Sequence, residues 1–173
     1  CFDKQDGIRC YNIANDNTTS DRFRCITELE DGTIVTGTAD GINFINDGKV
    51  TVTLTADDGL ENTQILSVAE SKDGKIWAGS DGSGIYVIAD GKLEEVYNTE
   101  SGLSSNVILR IVPYENGYLV VTSNSLCHID PDGEIKKLSN FPYFNNYDVI
   151  IDGETAYIPC SAGLYETKLS ELC

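Results

Sequence analysis

The sequence predicts an all-β chain folded as a partial β-propeller, built of four-stranded antiparallel blades in about four repeats of 36 to 43 residues. Three observations predict it. Turn glycines recur at Gly32, Gly74, Gly117 and Gly153, at intervals of 42, 43 and 36 residues. The next strand start recurs at Gly41-Ile42, Gly84-Ile85, Ser125-Leu126 and Gly163-Leu164, at intervals of 43, 41 and 38. Between these landmarks the apolar residues fall in short runs bounded by Gly, Asp, Asn and Ser, the signature of strands joined by tight turns. Ten Asp-Gly pairs supply turns that need positive φ. No window of a dozen residues keeps helical apolar spacing.

Taken in order, residues 1–20 read as the tail of one blade, with GIRCYN (7–12) in the place of its third strand. Residues 21–55, 56–98 and 99–140 read as three blades, and 141–173 as an incomplete one. The second blade is the clearest. Its strands are ILSVAE (65–70), KIWAG (75–79), GIYVI (84–88) and KLEEVY (92–97), and the stretch 71–91 carries two Asp-Gly turns around them. The loops ADDGLEN (56–62) and ESGLSSN (100–106) bring each fourth strand to the next first strand, with Leu60 and Leu103 again 43 residues apart. The chain starts and stops within a blade and opens without methionine, so it reads as a piece of something longer whose open blade edges invite self-association.

Composition narrows the function classes. Asp and Glu outnumber Lys and Arg by 28 to 12, a net charge of −16 that repels phosphate backbones and argues against nucleic-acid binding. No apolar run is long enough to span a bilayer as a helix. The six cysteines show no CxxC spacing. Cys10, Cys25, Cys127 and Cys160 sit inside apolar strand patterns, where a free cysteine packs as a small hydrophobe. His128 is the single histidine and reads as a strand side chain rather than a ligand or a base. SKDGKIW (71–77) approaches an Asp-box but lacks a residue and carries Ile76 in place of threonine. ADDG (56–59) and SDGSG (80–84) lack the ligand spacing of a calcium loop. The sequence therefore assigns no catalytic residue, no metal site and no cofactor.

The segments GLSSNVILRIVPYENGYLVVTSNSLCHID (102–130) and DGLENTQILSVAESKDGKIWAGSDGSGIYVI (58–88) resemble the two-component regulator propeller repeat. The second matches at Gly59, Leu60, Asn62, Ile65, Asp73, Gly74, Trp77, Gly79 and Gly84-Ile85. The first blade keeps Asp31, Gly32, Gly37, Thr38 and Gly41, and the last only Asp152, Gly153 and Gly163-Leu164. The resemblance implies a non-catalytic sensor segment on the extracytoplasmic side of a membrane-anchored receptor, with a histidine kinase or diguanylate cyclase as output. Two other classes stay open at this stage, a carbohydrate-active propeller enzyme and a plain interaction scaffold.

SNFPYFNNYD (139–148) departs most from the repeat, placing four aromatics and three asparagines where the other loops are polar. In a propeller this loop shares a face with SDGSG. Tyr143, Asn145, Tyr147, Asp81 and Ser83 are therefore the expected contacts for a ligand, an unidentified small molecule or glycan, or another protein, with aromatics stacking and amides hydrogen-bonding.

Overall fold

The computed structural model describes residues 2–3, 7–138 and 145–172. It bears out the propeller. Blade 1 is the sheet β3 (Phe23–Glu28), β4 (Ile34–Thr38), β5 (Ile42–Asn46) and β6 (Lys49–Leu54). Blade 2 is β7 (Ile65–Glu70), β8 (Ile76–Ser80), β9 (Ile85–Ala89) and β10 (Lys92–Tyr97). Blade 3 is β11 (Ile108–Tyr114), β12 (Gly117–Thr122), β13 (Leu126–Ile129) and β14 (Ile135–Lys137). Blade 4 has three strands, β15 (Ile150–Asp152), β16 (Thr155–Cys160) and β17 (Gly163–Lys168). All neighbours are antiparallel, and no ladder joins blade 4 to blade 1 among the described residues.

Local chemistry sets these elements. Asp47-Gly48 and Asp90-Gly91 have φ of 47° and 72°, and of 49° and 69°. Two successive positive φ values make the two-residue hairpin whose twist suits the flanking strands, which is why Asp-Gly stands there. The first strand of blades 1, 2 and 3 carries a register shift at one place, Phe23/Cys25, Ile65/Ser67 and Ile108/Arg110. Such bulges bend a strand and sharpen its twist, and here the bend repeats with the blade.

Burial follows the strand order. The second strands of blades 2 and 3, β8 and β12, are buried along their whole length and β4 along all but its first residue, whereas β16 is only partly buried, β10 is the least covered strand of its blade and β6 buries only Leu54. Three apolar layers lie between successive blades. Val35 and Phe44 of blade 1 meet Val68, Ile76, Ala78 and Ile88 of blade 2. Ala69, Trp77 and Val87 of blade 2 meet Ile111, Tyr118, Val120 and Ile129 of blade 3. Leu119 and Val121 of blade 3 meet Val149, Ala156 and Ile158 of blade 4. Each blade is thus held by its neighbours, as expected of a repeat that cannot bury both faces alone.

Two sequence expectations are corrected. GIRCYN is not a blade strand: only its first two residues form strand, β2 (Gly7–Ile8), which pairs with β1 (Phe2–Asp3) and joins no blade among the described residues. The all-β class stands, with one-turn helices at α1 (Ile13–Asp16) and α2 (Leu169–Leu172) and a 3-10 turn at Ala56–Asp58 beside the strands. They are too short to show a helical period. Cys10 is exposed rather than core, while Cys127 is buried and Cys25 half-buried, all as free thiols. Burial pushes the Cys25 thiol up to about 11. Near pH 8, a maleimide is therefore expected to modify Cys10 promptly and Cys25 and Cys127 only on unfolding, as read by peptide mapping. Equal labelling of the three in the folded protein would contradict this packing.

Candidate functional site

The loops after the second and fourth strands do share one face, and their backbone is sewn together. A hydroxyl ends each second strand and holds the turn that follows. Thr38 Oγ1, Ser80 Oγ and Thr122 Oγ1 donate to the carbonyls of Gly41, Gly84 and Ser125 at 3.0, 2.9 and 3.1 Å. The loop ADDGLEN turns on Gly59 at φ 98° and then buries Leu60, and ESGLSSN turns on Gly102 at φ 111° and buries Leu103. This explains the Gly-Leu pair of the repeat: glycine supplies the left-handed turn and leucine plugs the adjoining layer. Asn62 fixes the same corner, its Nδ2 donating to the Asp81 carbonyl at 2.7 Å while its Oδ1 accepts from the Gln64 amide at 3.0 Å.

The expected contact residues fall into two places. Asp81 is exposed, its amide donating to Gln64 O at 2.9 Å, and it bridges Val107. Ser83 is half-buried, its amide donating to Ser80 Oγ at 2.9 Å. Gly82 and Gly84 donate to Asn106 O at 3.1 and 2.8 Å, so the loop is anchored on the entry to blade 3. Asn145 is exposed at φ 49°, and Tyr147 is 58% exposed, with its amide donating to Pro159 O at 3.1 Å. Those two belong to the entry of blade 4, and no hydrogen bond joins them to Asp81 or Ser83 among the described residues. Tyr143 lies outside the described residues. Asp148 closes this segment onto blade 3 by pairing with Arg110 at 3.0 Å.

Sequence reasoning missed two recesses. One, of about 380 Å³, lies on the loop face between blades 1 and 2, bounded by Arg22, Asp40, Glu61 and Gln64. The other, of about 410 Å³, opens at the opposite end between blades 2 and 3. Its floor is an aromatic stack: Trp77 lies 4.2 Å from Tyr118 and 5.2 Å from Tyr97 by ring centroids, with interplanar angles of 27° and 15°. Its rim is polar. Lys72 Nζ donates to Asn116 Oδ1 at 2.7 Å across the gap, and Lys75 pairs with Glu94 at 2.9 Å. The Ser71 hydroxyl donates to Asp73 and holds that carboxyl below its usual range. Burial pushes the Tyr118 phenol up to about 12, against the hydrogen bond to Ser71. These residues stand in three different strands and two turns, and only Trp77 could have signalled the stack from sequence.

His128 is buried as a strand residue, with Nδ1 3.0 Å from Asp130 and its ring edge-on to Tyr114 at 5.8 Å. No group of three or more His, Cys, Asp or Glu side chains could hold a metal ion among the described residues. No helix among them is long and apolar enough to cross a membrane.

Blades of this construction, with this recurring corner, define a β-propeller. Residues 59–82 match the family described as two component regulator propeller, which bears out the resemblance drawn from the repeat. No curated protein matches the chain. Among solved structures, the extracellular domain of a protein described as the hybrid two-component system BT3049 from B. thetaiotaomicron is similar with a TM-score of 0.80 at 17% identity. The alignment covers 94% of this chain and 24% of that one. The extracellular domain of the one-component system BT4673 from the same organism gives 0.74 at 19%, covering 90% and 24%. A virginiamycin B lyase from Staphylococcus aureus gives 0.62 at 18%, covering 85% and 55%. At such identities the likeness is one of fold, and the chain spans about a quarter of the first two structures.

Proposed function

We propose that this chain is a non-catalytic sensing segment of an extracytoplasmic signalling receptor, anchored in a membrane through its parent and coupled to a kinase or cyclase output. The observation that carries this reading is the two-component regulator propeller repeat at residues 59–82, within a chain whose repeats continue on both sides of it. The likeness of fold to extracellular domains of two-component and one-component systems supports the location. The ligand, a small molecule or glycan or another protein, meets the loop face, with Tyr147 and Asn145 at one end and Asp81 and Ser83 at the other. Binding signals by favouring one arrangement of the parent's domains over another, because a ligand shifts an equilibrium only by its differential affinity.

The test is the gene. A reading frame that continues from this propeller into a membrane helix and then a kinase or cyclase domain is the expected result. A reading frame with no membrane segment and no output domain would overturn the proposal and bring the enzyme and scaffold classes forward.

A further inference from the structure

The recess between blades 2 and 3 lies inside the array, and its lining departs from the repeat. Ladder register sets Trp77 and Tyr97 of blade 2 and Tyr118 of blade 3 at the places that Val35, Leu54 and Ile76 hold in the layer before. Those three aliphatic side chains are at most 3% exposed and close that layer as part of one cluster. Stacking two blades therefore needs no aromatic residue there. Three aromatics at the same places instead floor an opening of about 410 Å³, within the range of small-molecule sites.

Two observations give the chemistry of an occupant. The first is a donor without an acceptor. Trp77 lines the recess and is 8% exposed, yet its indole N–H meets no acceptor among the described residues. A tryptophan this buried ordinarily pairs that N–H, so an oxygen of the occupant has a place to bind. The second is the balance of charge. Both lysines of the rim are engaged, Lys75 with Glu94 at 2.9 Å and Lys72 with Asn116 at 2.7 Å. Asp73 and Glu95 on the blade 2 side take hydrogen bonds from neutral hydroxyls, those of Ser71 and Tyr97. Glu115 stands exposed on the blade 3 side. Even with Lys75 near Asp73 and Glu95, these four carboxylates face two lysines, so the rim repels an anion and attracts a cation. Aromatic rings favour a cation in the same way, through the negative face of the ring.

We propose that the recess binds a small organic amine in its ammonium form, one whose apolar body covers the aromatic floor and whose hydroxyl or carbonyl oxygen accepts from Trp77. Asp73 and Glu95 hold the ammonium from one wall and Glu115 from the other. Such charge-assisted hydrogen bonds are about twice as strong as neutral ones. The site is at the end opposite the loop face, so it is separate from the contacts proposed there and does not depend on them.

Trp77 is the only tryptophan of the chain, so its emission reports this recess. The probes are aminocyclohexanol, cyclohexanediol and hydroxycyclohexanecarboxylate, each with its two groups at opposite ends of the ring. They share one shape and differ in charge: a cation, a neutral molecule and an anion. At neutral pH and low salt, aminocyclohexanol is expected to change the emission saturably, with half-saturation at about 1 mM or below. The diol is expected to need about tenfold more, and the carboxylate to give no saturable change. Glu95→Gln and Glu115→Gln each remove one charge, from opposite walls, and keep the shape of the side chain. Each is expected to keep the strand circular dichroism, to leave the diol unaffected and to weaken aminocyclohexanol by about 5-fold or more. An emission unmoved by aminocyclohexanol up to about 20 mM would overturn the proposal. So would an equal response to aminocyclohexanol and the diol, or a half-saturation of aminocyclohexanol unchanged in both variants.

Discussion

Trp77→Ala is expected to destabilise the protein by about 3–5 kcal/mol. Trp77 is 8% exposed and holds the layer between blades 2 and 3, stacked on Tyr118 and Tyr97. Deleting it removes the largest side chain of that layer and two ring contacts worth about 0.5–1.5 kcal/mol each beyond their burial. The array is quasi-one-dimensional, so the loss falls on one nearest-neighbour coupling rather than on the whole chain. Urea unfolding followed by circular dichroism is expected to show an earlier midpoint. It is also expected to show broadening, as the half containing blades 1 and 2 uncouples from the half containing blades 3 and 4. Trp77→Phe keeps one ring in the stack and is expected to recover a substantial share of the loss. A midpoint for the alanine variant unmoved from wild type would mean that the layer is held elsewhere.

The same residue marks how far the sequence could be read. Gly74, Gly79 and Gly84 recur in blade 1 as Gly32, Gly37 and Gly41 because each answers a local demand of the blade, a turn or a close approach, and local demands leave a period in the chain, whereas Trp77 has Val35 and Leu119 at its equivalent positions. The fold was legible for that reason. The Gly59-Leu60 and Gly102-Leu103 corners were legible too, since a left-handed turn and a plug leucine are written in adjacent residues. The aromatic recess was not, because Tyr97 and Tyr118 come from a fourth strand and the next blade's second strand and meet only across the layer. Asp81 and Ser83 were grouped with Asn145 and Tyr147 on the ground of a common face. Face alone does not give distance, and the anchoring of the 80–84 loop on Asn106 places the entry to blade 3 between the two pairs. The identity of GIRCYN failed for a related reason. A short alternating pattern does not name its partner strand, and here only Gly7 and Ile8 pair, with Phe2 and Asp3 rather than with a blade.

Gly79→Val is expected to cost about 3 kcal/mol, and Ile108→Val is expected to return part of it. A Cβ on Gly79 would stand 2.6 Å from Ile108 Cγ2 and 2.8 Å from its Cβ, with the Ile108 carbonyl at 3.3 Å. Gly37 makes the same approach to Ile65 in the layer before, at 2.6 and 2.8 Å. The glycine is thus a hole in one blade filled by an isoleucine of the next. The third layer is filled differently, for Val121 stands at the glycine position and is fully buried in the cluster that holds Val149, Ala156 and Ile158 of blade 4. If blades close at a fixed spacing, valine against isoleucine must force one side chain off its rotamer or push the blades apart, while valine against valine need not. A double-mutant cycle in urea unfolding measures the coupling, and neighbours sharing one cavity ordinarily couple by about 0.5–3 kcal/mol. Additive effects of the two substitutions would show that Gly79 is required by its own strand. A positive coupling would show that each inter-blade layer is specified by the summed volume of a facing pair, so that repeats of divergent sequence can still stack in register.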